Sequence, residues 1–92
     1  MIENFRHKGL KRFYENGDRR KLPPEMVPRI EEILTFLDIA RSLDEMNRPS
    51  FRLHPLKGRR KGEWAVDVQG PWRIVFRFAN GNAFDVNFED YH

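Results

Sequence analysis

The sequence holds 92 residues, enough for a single domain that buries roughly 60–65% of its unfolded surface. It contains no cysteine, which excludes disulfides and thiolate metal ligands and suits a reducing cytoplasm; no apolar run is long enough to span a bilayer, and the first residues lack the apolar core of an export signal. Seventeen Lys and Arg against fourteen Asp and Glu leave a net charge of +3, a surplus too small to name a partner, although its distribution is uneven.

Residues 1–4 fit a short first strand or an ordered arm. From Phe5 to Asn16 the apolar positions Phe5, Leu10, Phe13 and Tyr14 suit a short amphipathic helix, with Gly17 as its stop. A basic link, Asp18 to Lys21, follows. Pro23-Pro24 then opens a longer helix reaching Met46, in which Ile30, Ile33, Leu34, Leu37, Ala40, Leu43 and Met46 recur at three and four. Pro28 implies an irregular first turn or a regular helix that begins near Val27. Acidic residues concentrate in this stretch, whereas basic ones gather between Lys8 and Lys21 and again between Lys57 and Lys61. A polyanionic partner fits that distribution, and so does plain solvated charge.

Asn47 to Ser50 ends the helix. Phe51 to His54 alternates as a strand, Phe51 and Leu53 facing in and Arg52 and His54 out, and Pro55 keeps His54 extended. Lys57 to Gly62 is a basic loop bounded by glycines. Three further runs place apolar residues on even numbers: Trp64, Val66, Val68; Trp72, Ile74, Phe76, Phe78; Phe84, Val86, Phe88. Period-two alternation marks a half-buried antiparallel sheet. Two helices followed by about four strands make an α+β fold, with the helices packed on one face of a small twisted, mainly antiparallel sheet over residues 1–92.

Facing residues on antiparallel strands share a face, so even must pair with even. A bare two-residue turn at Asn80-Gly81 would break that rule, and the hairpin therefore needs a three-residue loop or a bulge. Pairing 78 with 84 sets 77 opposite 85, 74 opposite 88 and 73 opposite 89, while a loop at Gln69-Gly70-Pro71 sets 67 opposite 73. Arg73 then stands between Asp67 and Glu89 on the odd face, with Arg77 beside Asp85.

Several residues of that face could carry chemistry. Arg73 is either ordinary cross-strand pairing, worth about 0–1 kcal/mol when exposed, or a guanidinium aimed at a phosphate. His54 is either an inert surface residue or, among Arg52, Lys57, Arg59, Arg60 and Lys61, a histidine whose neutral form is favoured for service as a base. Asp90-Tyr91-His92 is either a frayed end or a cluster of acceptor, stacking phenol and imidazole, the carboxylates near His92 favouring its imidazolium as an acid. The histidines show no metal-ligand spacing, no glycine-rich phosphate loop precedes a helix, and Trp64 and Trp72 share the core parity. Two imidazoles, a carboxylate, a phenol, an arginine and a basic loop are what RNA cleavage by its own 2′-hydroxyl requires, with no cofactor.

Met1-Ile2, Phe5, His7 to Leu10, the segment Leu53-His54-Pro55-Leu56-Lys57-Gly58, Trp72-Arg73-Ile74 with Phe76, and Glu89-Asp90-Tyr91-His92 together resemble the HigB toxins of the RelE/ParE superfamily of bacterial type II toxin–antitoxin systems. The resemblance covers essentially the whole chain. It implies a small microbial-RNase fold and a ribosome-dependent endoribonuclease that cuts mRNA in the ribosomal A site, neutralised by a HigA-like helix-turn-helix antitoxin. Operator DNA would be bound only through the antitoxin complex, and no membrane is implied. Carried over by position, the active-site residues are His54, Lys57, Arg73, Asp90, Tyr91 and His92, while Arg52, Arg59, Arg60 and Lys61 would contact mRNA or 16S rRNA. His54 and His92 would be base and acid, in either order. Gln69-Gly70-Pro71 departs from the more polar, Asn-containing turn expected before Trp72. The rival reading is a non-enzymatic protein on the same scaffold, a ParE-like gyrase inhibitor or a nucleic-acid-binding module.

Overall fold

The computed structural model describes residues 1–90, so Tyr91 and His92 lie outside the described residues. An extended arm leads into α1 (Lys8–Asn16), then α2 (Val27–Ile39), and four strands follow: β1 (His54–Pro55), β2 (Trp64–Gln69), β3 (Trp72–Ala79) and β4 (Asn82–Asp90). The strands form one antiparallel sheet in the order β1-β2-β3-β4, with α1 and α2 on one face. No described helix is long and apolar enough to cross a membrane.

The first helix is shorter than its apolar pattern predicts, because Phe5 belongs to the arm. That arm runs parallel to β4 through bridges Ile2↔Ala83 and Phe5↔Val86. His7 caps α1, its Nδ1 accepting from the Leu10 N–H, and Gly17 closes the helix in the left-handed conformation at φ 71°. Pro28 sits in the first turn of α2, where its missing N–H breaks no hydrogen bond.

The second helix does not reach Met46. It ends at Ile39, Ala40 turns extended at ψ 130°, and Leu43–Met46 forms a separate 3-10 turn. Ala40, Leu43 and Met46 recur at a spacing of three, which a 3-10 turn satisfies as well as an α-helix, so periodicity could not separate the two. Ala40 and Met46 are buried either way, and Leu43 packs against the core.

Ile30, Ile33, Leu34 and Leu37 of α2 and Leu10 of α1 fill the core against Val66, Val68, Ile74, Phe76, Val86 and Phe88. The even parity of β2 and β3 is therefore the core parity. It changes in β4. Asn80 (φ 53°) and Gly81 (φ 78°) make a two-residue turn with both dihedrals left-handed, so Ala79 pairs with Asn82 and Phe78 with Ala83. A bulge restores the register: Asp85 and Val86 together oppose Phe76, with Asp85 at φ 53°. Asp67↔Arg73, Ile74↔Phe88 and Arg73↔Glu89 pair as the alternation requires, but 78 with 84 and 77 with 85 do not. Ala83 takes the buried position, and Phe84 is only half-buried opposite Arg77. The amide that the bulge leaves out of the ladder, Asp85 N–H, donates to the Asn4 side chain, which ties the arm to this point.

Candidate active site

The odd face of the sheet is not uniformly wet. Ala65 and Val75 are fully buried on it, and from the 3-10 turn Gly58–Arg60 the Arg60 side chain reaches Glu89 on β4. Beside this covered patch, a cleft of about 530 Å³ is lined by Arg52, Leu53, His54, Asp67, Gly70, Pro71 and Arg73. Three of the residues proposed from the alternation, Arg52, His54 and Arg73, thus meet in one depression, and the loop before Trp72 forms its rim.

His54 opens β1, opposite Ala65 on β2. Its Nδ1 lies 2.7 Å from the Arg52 carbonyl oxygen. A carbonyl only accepts, so Nδ1 carries the proton in this contact and the neutral ring keeps its lone pair on Nε2. The strand alone would not aim the ring; the carbonyl two residues back does. Arg52 itself is held at φ 53°, a conformation uncommon for a bulky side chain, and its exposed guanidinium pairs with Asp67 at 3.3 Å.

Arg73 stands between Asp67 on β2 and Glu89 on β4, as the register requires. Its side chain is only 11% exposed, and Nη2 donates to Glu89 Oε1 at 3.3 Å. Asp67 gives its carboxylate to Arg52. Burial of a guanidinium at the foot of a polar cleft, with a carboxylate to hold it, makes a site for an anion of planar or tetrahedral oxygens.

The basic loop divides. Lys57, Arg59 and Lys61 are exposed. Arg60 folds back: Nε donates to Glu63 Oε2 at 3.1 Å, Nη2 to Glu63 Oε1 and to Glu89 Oε2 at 3.0 Å each, and Nη1 to Glu89 Oε1. Hydrogen bonds from Arg60 hold the carboxyls of Glu63 and Glu89 below their usual range, against the opposing effect of burial, and raise the Arg60 guanidinium in turn. Asp90 ends β4, exposed and opposite Trp72, whose ring stacks on Phe88 at 4.7 Å. Tyr91 and His92 fall outside the described residues. The alternation flagged Asp67 and Glu89 only as neighbours of Arg73; the Asp67–Arg52 pair and the Arg60 clamp escaped it because both depend on loop conformations that leave no periodic mark.

Residues 3–92 match the family described as the RelE-like toxin of the type II toxin–antitoxin system HigB. "Endoribonuclease HigB" of Proteus vulgaris is 47% identical over 92 residues, covering all of both chains. "Toxin HigB-1" of Vibrio cholerae serotype O1 is 27% identical over 93 residues, covering 99% of this chain and 98% of the relative. Among solved structures, YafQ from Escherichia coli strain BL21(DE3) superposes with a TM-score of 0.57 at 13% identity, covering 98% of this chain and 91% of that one, and a YafQ variant gives 0.60. At that identity the likeness is one of fold. Taken with the full-length match in sequence, it shows that the chain belongs to the HigB-like toxins, RelE-like members of type II toxin–antitoxin systems.

Proposed function

We propose that this toxin is an endoribonuclease, as its relative from Proteus vulgaris is named, and that it cleaves mRNA in the ribosomal A site. The observation that carries the reading is the shared cleft of His54 and Arg73, with the His54 ring oriented by the Arg52 carbonyl. Nε2 of His54 would take the proton of the 2′-hydroxyl, whose oxygen attacks the adjacent phosphorus. The 5′ oxygen then leaves and takes a proton from His92, so the products carry a 2′,3′-cyclic phosphate and a 5′-hydroxyl; the two histidines could also serve in the opposite order. Arg73 and Lys57 would stabilise the charge gathered on the pentavalent phosphate. Asp90 would orient an imidazole and Tyr91 stack on a base. Arg52, Arg59 and Lys61 would track messenger or 16S rRNA phosphates; Arg60, whose guanidinium is engaged by Glu63 and Glu89, supports that role least.

A toxin of this family is paired with an antitoxin. We propose a HigA-like helix-turn-helix protein for that partner, contact with operator DNA only through the complex, and a cytoplasmic site of action. Primer extension on a ribosome-bound message tests the enzymatic reading. Wild type should stop the extension at A-site codons and the His92→Ala variant should not. An intact message accompanied by DNA damage would instead establish gyrase inhibition.

A further inference from the structure

From the shared carboxylate of Glu89 we infer that Arg60 is a positioning residue, which holds Glu89 back from Arg73 and so keeps the Arg73 guanidinium presented to a phosphate in the cleft. The inference rests on the endoribonuclease reading of that cleft. Arg60 uses all three of its nitrogens on two carboxylates, meeting Glu89 through both oxygens and Glu63 through both oxygens. Asn87 Nδ2 donates to Glu89 Oε2 as well, at 3.0 Å. Against this set, Arg73 makes one contact to Glu89, at 3.3 Å through Nη2.

The geometry matters because a carboxylate and a guanidinium on facing positions of neighbouring strands, as Arg73 and Glu89 are, prefer the paired two-bond arrangement. Formed in full, it would neutralise Arg73 and swing its donors along the sheet rather than into the cleft. Arg60 occupies the oxygens first. It arrives from the 3-10 turn Gly58–Arg60, and Glu63 anchors it there from the residue before β2 with its own side chain nearly fully buried.

Single-turnover cleavage of a ribosome-bound message by Arg60→Ala, Arg60→Gln, Arg73→Ala and the double variant Arg60→Ala/Glu89→Gln tests this. Removal of Arg60 lets Glu89 close on Arg73, and the saturating rate should fall on the order of 100-fold, the scale of a misaimed catalytic group. Neutralising Glu89 in the same chain removes the competitor, and the double variant should recover at least tenfold over Arg60→Ala, although its loop is anchored no better than in the single variant. A merely structural Arg60 would give the opposite: no rescue, or a further loss. Thermal melting confirms which variants are folded, and Arg60→Gln, a shorter, uncharged side chain that keeps its methylenes and an amide donor group, repeats the comparison should Arg60→Ala unfold. Wild-type rates on loss of Arg60, or a double variant as slow as the single one, would overturn the inference. A fully active Arg73→Ala would instead sink the underlying assignment of the cleft.

Discussion

The tautomer of His54 has a consequence that separates chemistry from architecture. Among the described residues the ring makes one side-chain hydrogen bond, Nδ1–H to the Arg52 carbonyl, and the base would be the other nitrogen. Asparagine in place of His54 puts an amide N–H close to the Nδ1 position and can keep the bond to Arg52, but it has no basic nitrogen. Alanine loses both. Loss of a general base should slow single-turnover cleavage about 10²–10⁴-fold, equivalent to about 3–5 kcal/mol of barrier, and it should do so equally in His54→Asn and His54→Ala. Stability should divide the two. A net hydrogen bond is worth ~1 kcal/mol. For 92 residues the unfolding entropy is about 0.19 kcal/mol/K, so His54→Ala should melt about 5 °C below wild type and His54→Asn within about 2 °C of it. Primer extension on ribosome-bound message and thermal melting of the same preparations supply both numbers. A His54→Asn variant that cleaves within about threefold of wild type would refute the reasoning, since the imidazole would then serve only to brace the Arg52 turn.

Two further predictions concern the scaffold. Ile33, fully buried on α2, should cost about 2–5 kcal/mol when cut to alanine, seen as a lower urea midpoint at unchanged slope; a loss under about 1 kcal/mol would mean the helix does not carry the core. His7 makes stability depend on pH. Burial lowers its pKa from 6.5, so the native state binds its proton less readily than the unfolded chain. The contribution is therefore complete above pH 6.5 and declines as pH falls from there through the folded value, since an imidazolium could no longer accept from Leu10 N–H. His7→Asn, which keeps the cap without titrating, should flatten that slope in chemical denaturation between pH 7 and 5; an unchanged slope would remove His7 as its source. At lower pH the lowered carboxyls of Glu63 and Glu89 act in the same direction: their stabilisation is present above the usual 4.5 and is lost as pH falls through their folded values.

Much of the fold was legible because burial writes itself as a period. The stripe from Ile30 to Leu37 and the even residues of β2 and β3 mark two surfaces that must meet, and that meeting orders helices over sheet. Parity carried further, to Arg73 between Asp67 and Glu89, since antiparallel partners share a face. It failed where geometry departs from the period. The Asn80-Gly81 turn and the bulge at Asp85 exchange Ala83 for Phe84 at the core, and the spacing of Ala40, Leu43 and Met46 suits two kinds of helix.

The candidate site divides along the same line. Which residue types are present, and which side of the sheet Arg73 takes, follow from the order of amino acids, because alternation is a local property of an extended chain. The assignment of Tyr91 and His92 rests on the sequence alone. Tertiary structure decided the rest: that the Arg52 carbonyl orients His54, that Asp67 is occupied by Arg52, and that Arg60 leaves the basic surface to clamp two glutamates. Each of these is set by a left-handed residue or a loop laid across the sheet. Two of these contacts, Arg52 with Asp67 and Arg60 with Glu89, join positions far apart in the chain, the others depend on irregular turns, and no periodicity records which groups will meet.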